Sequence, residues 1–271
     1  MAYRCKTLIA TEGDSSKEEK RLSICLGANG FSFSVTTTSG LLLAFGEAEG
    51  VHASTMTDAT REIKAFFAEA GIKPLGYAKM ELIVVSDDNA WVPDELYTSV
   101  ANRSYLRLLG SNPASVVSCP CKALGSTMVF AASDQLVTAF KVALPGVSVV
   151  NQHVMLSRLM PRSASHPVIV AHWRMGRVDL AVMNEGKYLY GNTLRYSNID
   201  EGIFQVVEVM KTCGIDRPDM ELLLCGDVDR DSYARMCPYF PTTTLFSGNA
   251  LRFTNPEFKK LHTYRYALIL M

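Results

Sequence analysis

From Leu22 onward, apolar residues alternate with small polar ones through LSICLG, FSFSVTT and LLLAFG, three β-type runs separated by the turn sequences ANG and TSG. This pattern predicts a three-strand meander. The period then changes: in TDATREIKAFFAEAGI, Ile63, Phe66, Phe67 and Ala70 recur at helical spacing, Thr57 or Asp58 is placed to cap, and Gly71 supplies the stop. A helix therefore crosses over to MELIVVSDD, a short run rich in Val and Ile of the kind that a parallel strand covered on both faces requires.

The same order returns downstream as HPVIVAHW, RMGR, VDLAVM, NEG, KYLYGN, the helical NIDEGIFQVVEVMKTCGI and MELLLCGD. Its landmarks keep register with the first copy. Gly30 and Gly176 precede FSFSV and RVDLAV, Gly40 and Gly186 precede LLLAFG and KYLYGN, and Gly71-Ile72 ends one helix as Gly214-Ile215 ends the other. Met80-Glu81-Leu82 and Met220-Glu221-Leu222 then open the two crossover strands. Matched turns, helix stops and strand starts at an offset that drifts only from 146 to 140 residues are the signature of an internal duplication.

Between the copies lie a helical PDELYTSVANRSYLRLLG, the strand-like SVVSCP and STMVFAA, a helix DQLVTAFKVALP, a strand VSVV, and NQHVMLSRLM, most of which extends the first half. The stretch at 161–167, with two prolines and two serines, suits a boundary because it stops the preceding helix. The expected division is therefore a first half over 1–165, carrying the inserted segment, and a second half over 166–271. The end, LRFTNPEFKKLHTYRYALILM, reads as partly helical, and its apolar YALILM must be buried.

A chain of 271 residues favours two domains, and 48% hydrophobic residues supply ample core. The 27 basic residues balance 27 acidic ones, so no global field draws in nucleic acid or an anionic bilayer. The charge run KEEKR at 17–21 mixes both signs and reads as a solvated lead-in. The first residues lack the apolar core of a secretory signal, and no stretch reaches the roughly 18 apolar residues of a membrane span. Seven cysteines, an odd number with several inside apolar runs, read as reduced, buried thiols. The expectation is a cytoplasmic protein.

Tandem units of hairpin, third strand, helix and strand resemble the duplicated ribonuclease-H-like core of the actin-like ATPase superfamily: an α/β fold of two tandem halves with mixed sheets flanked by helices. The opening LSICLGANGFSFSV and the layout from Leu22 on also resemble a bacterial domain-of-unknown-function family whose fold is actin-like. The superfamily resemblance implies two hairpin turns facing each other across a cleft, each starting from an Asp-X-Gly that holds nucleotide phosphates and Mg²⁺. Here the first counterpart is Cys25-Leu26-Gly27, with a thiol where a hard cation wants a carboxylate. The second is His172-Trp173-Arg174, which keeps neither defining residue, and the adenosine motif appears as Cys225-Gly226-Asp227 with one glycine of two. The candidate cleft lining is accordingly Gly27, Asn29, Gly30, Arg174, Gly176, Gly226 and Asp227.

Other chemistry is weaker. Asp87 and Asp88 follow the first crossover strand and Asp227, Asp229 and Asp231 the second, where carboxylates commonly cap the next helix. A two-metal nuclease would need a carboxylate on the first strand of a half, and LSICLG and VIVAHW have none. Cys119-Pro120-Cys121 lacks the further ligands of a zinc site, so packing is its expected role. Cys25 with His172 lacks an orienting third group for nucleophilic catalysis. Arg174 and Arg177 are expected to pair with Asp87, Asp88 or Asp227 and close the cleft from within. The expected function is a non-catalytic actin-like module, a pseudo-ATPase without cofactor or metal, acting through an unidentified protein partner. The alternative is an ATP-binding protein, with Mg, or a phosphotransferase whose atypical site is built from residues 27–30, 174–177 and Gly226.

Overall fold

The structure is a computed structural model, and it describes residues 4–10, 18–28, 30–50, 55–161, 163–215, 220–248 and 250–271. The first half begins with strands β1 (Arg4–Ala10), β2 (Lys20–Gly27), β3 (Gly30–Thr37) and β4 (Leu41–Glu49), helix α1 (Met56–Glu69) and strand β5 (Lys79–Val84). Next come β6 (Asn89–Pro93), α2 (Asn102–Leu108), β7 (Val116–Cys121), β8 (Ser126–Ala131), α3 (Asp134–Ala143), β9 (Ser148–Asn151) and α4 (Gln152–Leu159). The second half contains β10 (Val168–Arg174), β11 (Arg177–Asn184), β12 (Lys187–Arg195), α5 (Ile199–Thr212), β13 (Glu221–Gly226), α6 (Arg230–Met236) and β14 (Thr243–Leu245), and β15 (Arg252–Phe253) follows.

The meander, the crossover helix and the parallel strand form in both halves as the hydrophobic pattern predicts. In the first sheet the spatial order is β1-β4-β3-β2-β5-β9, and in the second it is β12-β11-β10-β13-β14. Apart from β1 the two orders match strand for strand. β2 pairs antiparallel with β3 and parallel with β5, as β10 does with β11 and β13. Helix α1 is capped by the Thr55 side chain, two or three residues earlier than Thr57 or Asp58, because Asp58 in the first turn donates its N–H to the Thr55 hydroxyl. Its apolar stripe of Ala59, Ile63, Phe66 and Phe67 is buried. Phe66 and Phe67 meet Phe31, Phe33 and Phe140 edge-on or tilted, at centroid distances of 4.9 to 6.4 Å. Helix α5 repeats the design with Asn198 as cap and Ile203, Val206, Val207 and Met210 buried.

Two features depart from the sequence reading. The inserted segment builds its own antiparallel sheet, in the order β6-β8-β7, and β6 lies in NAWVP, where the isolated pattern gave no strand. The C-terminal residues are partly helical as expected, but as 3₁₀ turns rather than α-helix and with a short strand before them. They form β15, which pairs in parallel with β4, and two short 3₁₀ turns at Pro256–Lys260 and Thr263–Tyr266, with Pro256 at the start of the first. Ala267, Leu268, Ile269 and Leu270 are buried in the core of the first half, where the Ser34 hydroxyl donates to the Ile269 carbonyl at 2.5 Å. The tail thus straps the first sheet. No described helix is long and apolar enough to cross a membrane.

Candidate functional site

Strands β2 and β5 of the first sheet end beside the turn that joins β10 to β11, and an open cleft of about 850 Å³ lies there. Gly27 and Ala28 from the β2 end, Asp87 from the β5–β6 loop, Ser133 before α3, and Arg174 and Arg177 from the opposing turn are among its lining. Gly176 lies in that turn between the two arginines. Gly30 instead faces the Ala48 carbonyl within the sheet, and Gly226 is buried against Trp173, with Asp227 exposed beyond it. Of the candidate lining, Gly27 and Arg174 are therefore brought to the cleft, and Asn29 lies outside the described residues.

Charge in the cleft is paired across the two halves. Arg174 Nη2 donates to Asp87 Oδ1 at 3.0 Å, and Arg177 Nε donates to Asp87 Oδ2 at 2.5 Å, so the expected pairing with Asp87 forms. Arg174 also grips a carboxylate that the sequence reading passed over. Its Nε and Nη2 donate to Oδ2 and Oδ1 of Asp179 at 2.8 and 2.9 Å, the bidentate fork that guanidinium geometry favours. Asp179 is the third residue of β11, with its side chain wholly buried.

Further donors converge on Asp179. His172 Nδ1 lies 3.0 Å from Oδ2, and because a carboxylate only accepts, the proton is on Nδ1. The Thr193 hydroxyl donates to Oδ1 at 2.7 Å, and Gln152 Nε2 approaches the same oxygen at 3.4 Å. With its one proton spent, Thr193 can only accept from His153 Nε2 at 3.0 Å, which leaves His153 Nδ1 a buried acceptor without a partner. Gln152 also ties the network to the first half, exchanging bonds with the Ser86 backbone at 2.7 and 3.0 Å. Asn89, from the first half, donates to Thr193 at 3.3 Å.

These surroundings set the ionisation states. Burial alone would raise the Asp179 carboxyl, but the bonds from His172 and Arg174 outweigh it and hold the group well below the usual carboxylate range. Asp87 is likewise lowered, burial being outweighed by Arg177 and Arg174. Burial pushes His153 down to about 4, so it is neutral at pH 7. Two guanidiniums and two carboxylates thus meet as a locally neutral set.

Cys25 and His172, where the sequence resemblance implies a magnesium site, suit a hard cation poorly. Burial pushes the Cys25 thiol up to about 12, which keeps it protonated, and the Nδ1–H of His172 is committed to Asp179. Asp229 caps α6 by accepting from the Ser232 N–H at 2.7 Å, as a junction aspartate is expected to do, and Asp87 does not cap. Cys119 and Cys121 are buried in the first core, and no three His, Cys, Asp or Glu side chains among the described residues cluster so as to hold a metal. The halves also meet through aromatic groups, with Trp91 of β6 edge-on to Tyr188 of β12 at 5.5 Å. A Cβ on Gly191 would collide with both, so only glycine admits this contact.

Comparison with solved structures places this architecture. A protein of Bacteroides thetaiotaomicron VPI-5482, described as having an actin-like ATPase fold and unknown function, aligns with a TM-score of 0.70 at 16% identity, over 94% of this chain and 96% of its own. The PilM-PilN type IV pilus biogenesis complex contains a chain that aligns at 0.55 and 14% identity, over 92% and 96%. The ethanolamine utilization protein EutJ from Carboxydothermus hydrogenoformans aligns at 0.51 and 11%, over 88% and 87%. At such identities the likeness is one of fold, and the fold is the actin-like ATPase fold with two tandem ribonuclease-H-like halves. No curated protein sequence matches the chain. Residues 12–242 match the family model described as "Protein of unknown function (DUF3822)", and the chain, across most of its length, belongs to that family.

Proposed function

We propose that the protein is a pseudo-ATPase: an actin-like module, arisen by internal duplication and divided near residues 161–167, that acts in the cytoplasm by binding another protein and turns over no nucleotide. The observation that carries this reading is the neutral set of Arg174, Arg177, Asp87 and Asp179 at the cleft. The two guanidiniums that could meet a triphosphate are already met by carboxylates of the chain itself. Cys25 and His172, at the positions where the superfamily holds magnesium, support the same reading.

The matched strand orders of the two sheets support the duplication. The free state of all seven cysteines suits a reducing compartment. Binding of a protein is supported by fold kinship with a chain of the PilM-PilN complex and by the well-exposed Leu96, Val100, Leu108 and Leu109 around α2. Phosphate release from millimolar ATP with magnesium tests the catalytic half of the proposal. The expected rate equals that of the buffer blank, whereas a magnesium-dependent rate abolished by Asp87→Ala or Asp227→Ala would overturn it.

A further inference from the structure

Asp87 and Asp179 share Arg174 but differ in one respect that matters. The Asp179 side chain is wholly buried, whereas Asp87 is 28% exposed and lines the open cleft. We propose that Asp87 is a built-in plug in an anion seat: its carboxylate occupies a two-guanidinium receptor that, once vacated, takes a carboxylate or phosphate group from solution.

The seat does not depend on its plug for shape. Arg174 is oriented by its two bonds to Asp179, and Arg177 Nη1 is held by the Gly176 carbonyl at 2.7 Å. Each guanidinium therefore has an anchor other than Asp87, so removing that carboxylate leaves both aimed at one point. The backbone around Asp87 is pinned as well. Ser86 exchanges bonds with Gln152, and the Asp88 carbonyl accepts from the Ala131 N–H at 2.9 Å, so displacement requires only a side-chain rotation. With Asp87 withdrawn, the local set changes from neutral to one net positive charge, facing a cleft open to solvent. An intramolecular carboxylate acts at high effective concentration, which is why free anions at ordinary levels do not displace it.

This inference goes beyond the proposed lack of nucleotide turnover, and its test is separable, because it uses neither nucleotide nor magnesium. Asp87→Ala is titrated with inorganic phosphate and, in a second arm, acetate, with the arginine Nε–H resonances followed by NMR. We expect phosphate to bind the variant at least about tenfold more tightly than the parent, with the Arg177 Nε–H resonance shifting and the gain lost in Asp87→Ala with Arg177→Ala. Saturation by acetate as well as phosphate would assign a general carboxylate and phosphate receptor, and saturation by phosphate alone a tetrahedral one. Equal affinity in variant and parent, or a gain that persists without Arg177, would overturn the proposal. Asp87→Ser serves as a second variant, and failure of both to fold would show that Asp87 is structural rather than exchangeable, which also overturns it.

Discussion

Replacing Arg174 by alanine removes the side chain on which the Asp87 and Asp179 carboxylates converge. The variant loses two bonds to Asp179 and one to Asp87. Asp87 keeps Arg177, but Asp179 keeps only the donors His172, Thr193 and Gln152, with no guanidinium, at a site without solvent. Breaking a buried pair from one side costs about 3–5 kcal/mol because the remaining charge is uncompensated. Arg174 is itself 22% exposed, so water can enter the space it leaves, and about 2–4 kcal/mol is the better expectation. For a chain of this size that corresponds to a fall in Tm of about 5–12 °C. Thermal unfolding followed by circular dichroism at pH 7.5 reads it directly. Arg177→Ala is the internal comparison, since its carboxylate contact is with Asp87 alone and both partners are about a quarter exposed; it should cost only about 0–1 kcal/mol. Adding Asp179→Asn to Arg174→Ala should recover part of the loss, because the orphaned charge is gone. An unchanged Tm in Arg174→Ala, or an equal fall in Arg177→Ala, would refute the buried-charge reasoning.

Stability should also depend on acid. His153 titrates at about 4 when folded against about 6.5 in a free chain, so between these values the unfolded state binds the extra proton. Stability is therefore full above pH 6.5 and falls as pH drops toward 4, by up to about 1.4 kcal/mol per pH unit; denaturant melts across that range should show the slope, and His153→Gln should flatten it. The lowered Asp179 carboxyl adds a further loss as pH falls below the ordinary carboxylate range. Gly226→Ala should cost about 2–4 kcal/mol, because Gly226 has φ +86° and a Cβ there would land on the Trp173 carbonyl; a melt shifted by less than a degree would contradict this.

Much of this was legible in the sequence, and what was not has a physical reason. The meander, both crossover helices and both parallel strands were readable because periods of 2 and 3.6 record which faces are buried, and glycines mark where each element stops. The Arg174–Asp87 contact followed from the topology, which brings the β10–β11 turn and the β5 end to one cleft. Asp179 left only a faint mark, a single acidic residue inside VDLAVM, where every other position from Val178 to Met183 is apolar and buried. Its donors Gln152 and Thr193 were fainter still, because they come from α4 and β12, far apart in sequence. The partly helical tail and the burial of its apolar end were legible, whereas strand β6 and the 3₁₀ form of the tail were not, for a related reason. Trp91 and the apolar residues 267–270 take their places from tertiary neighbours, Tyr188 and the first core, rather than from local periodicity.

The most direct test of the neutralised cleft is an isothermal titration of the parent protein with ATP and magnesium at pH 7.5. With Asp87 and Asp179 matching both arginines, and with Cys25 and His172 where the sequence resemblance implies magnesium ligands, no saturable heat should appear up to millimolar nucleotide, and added Mg-ATP should leave Tm unchanged. Saturable binding that requires magnesium and disappears in Arg174→Ala would contradict the account.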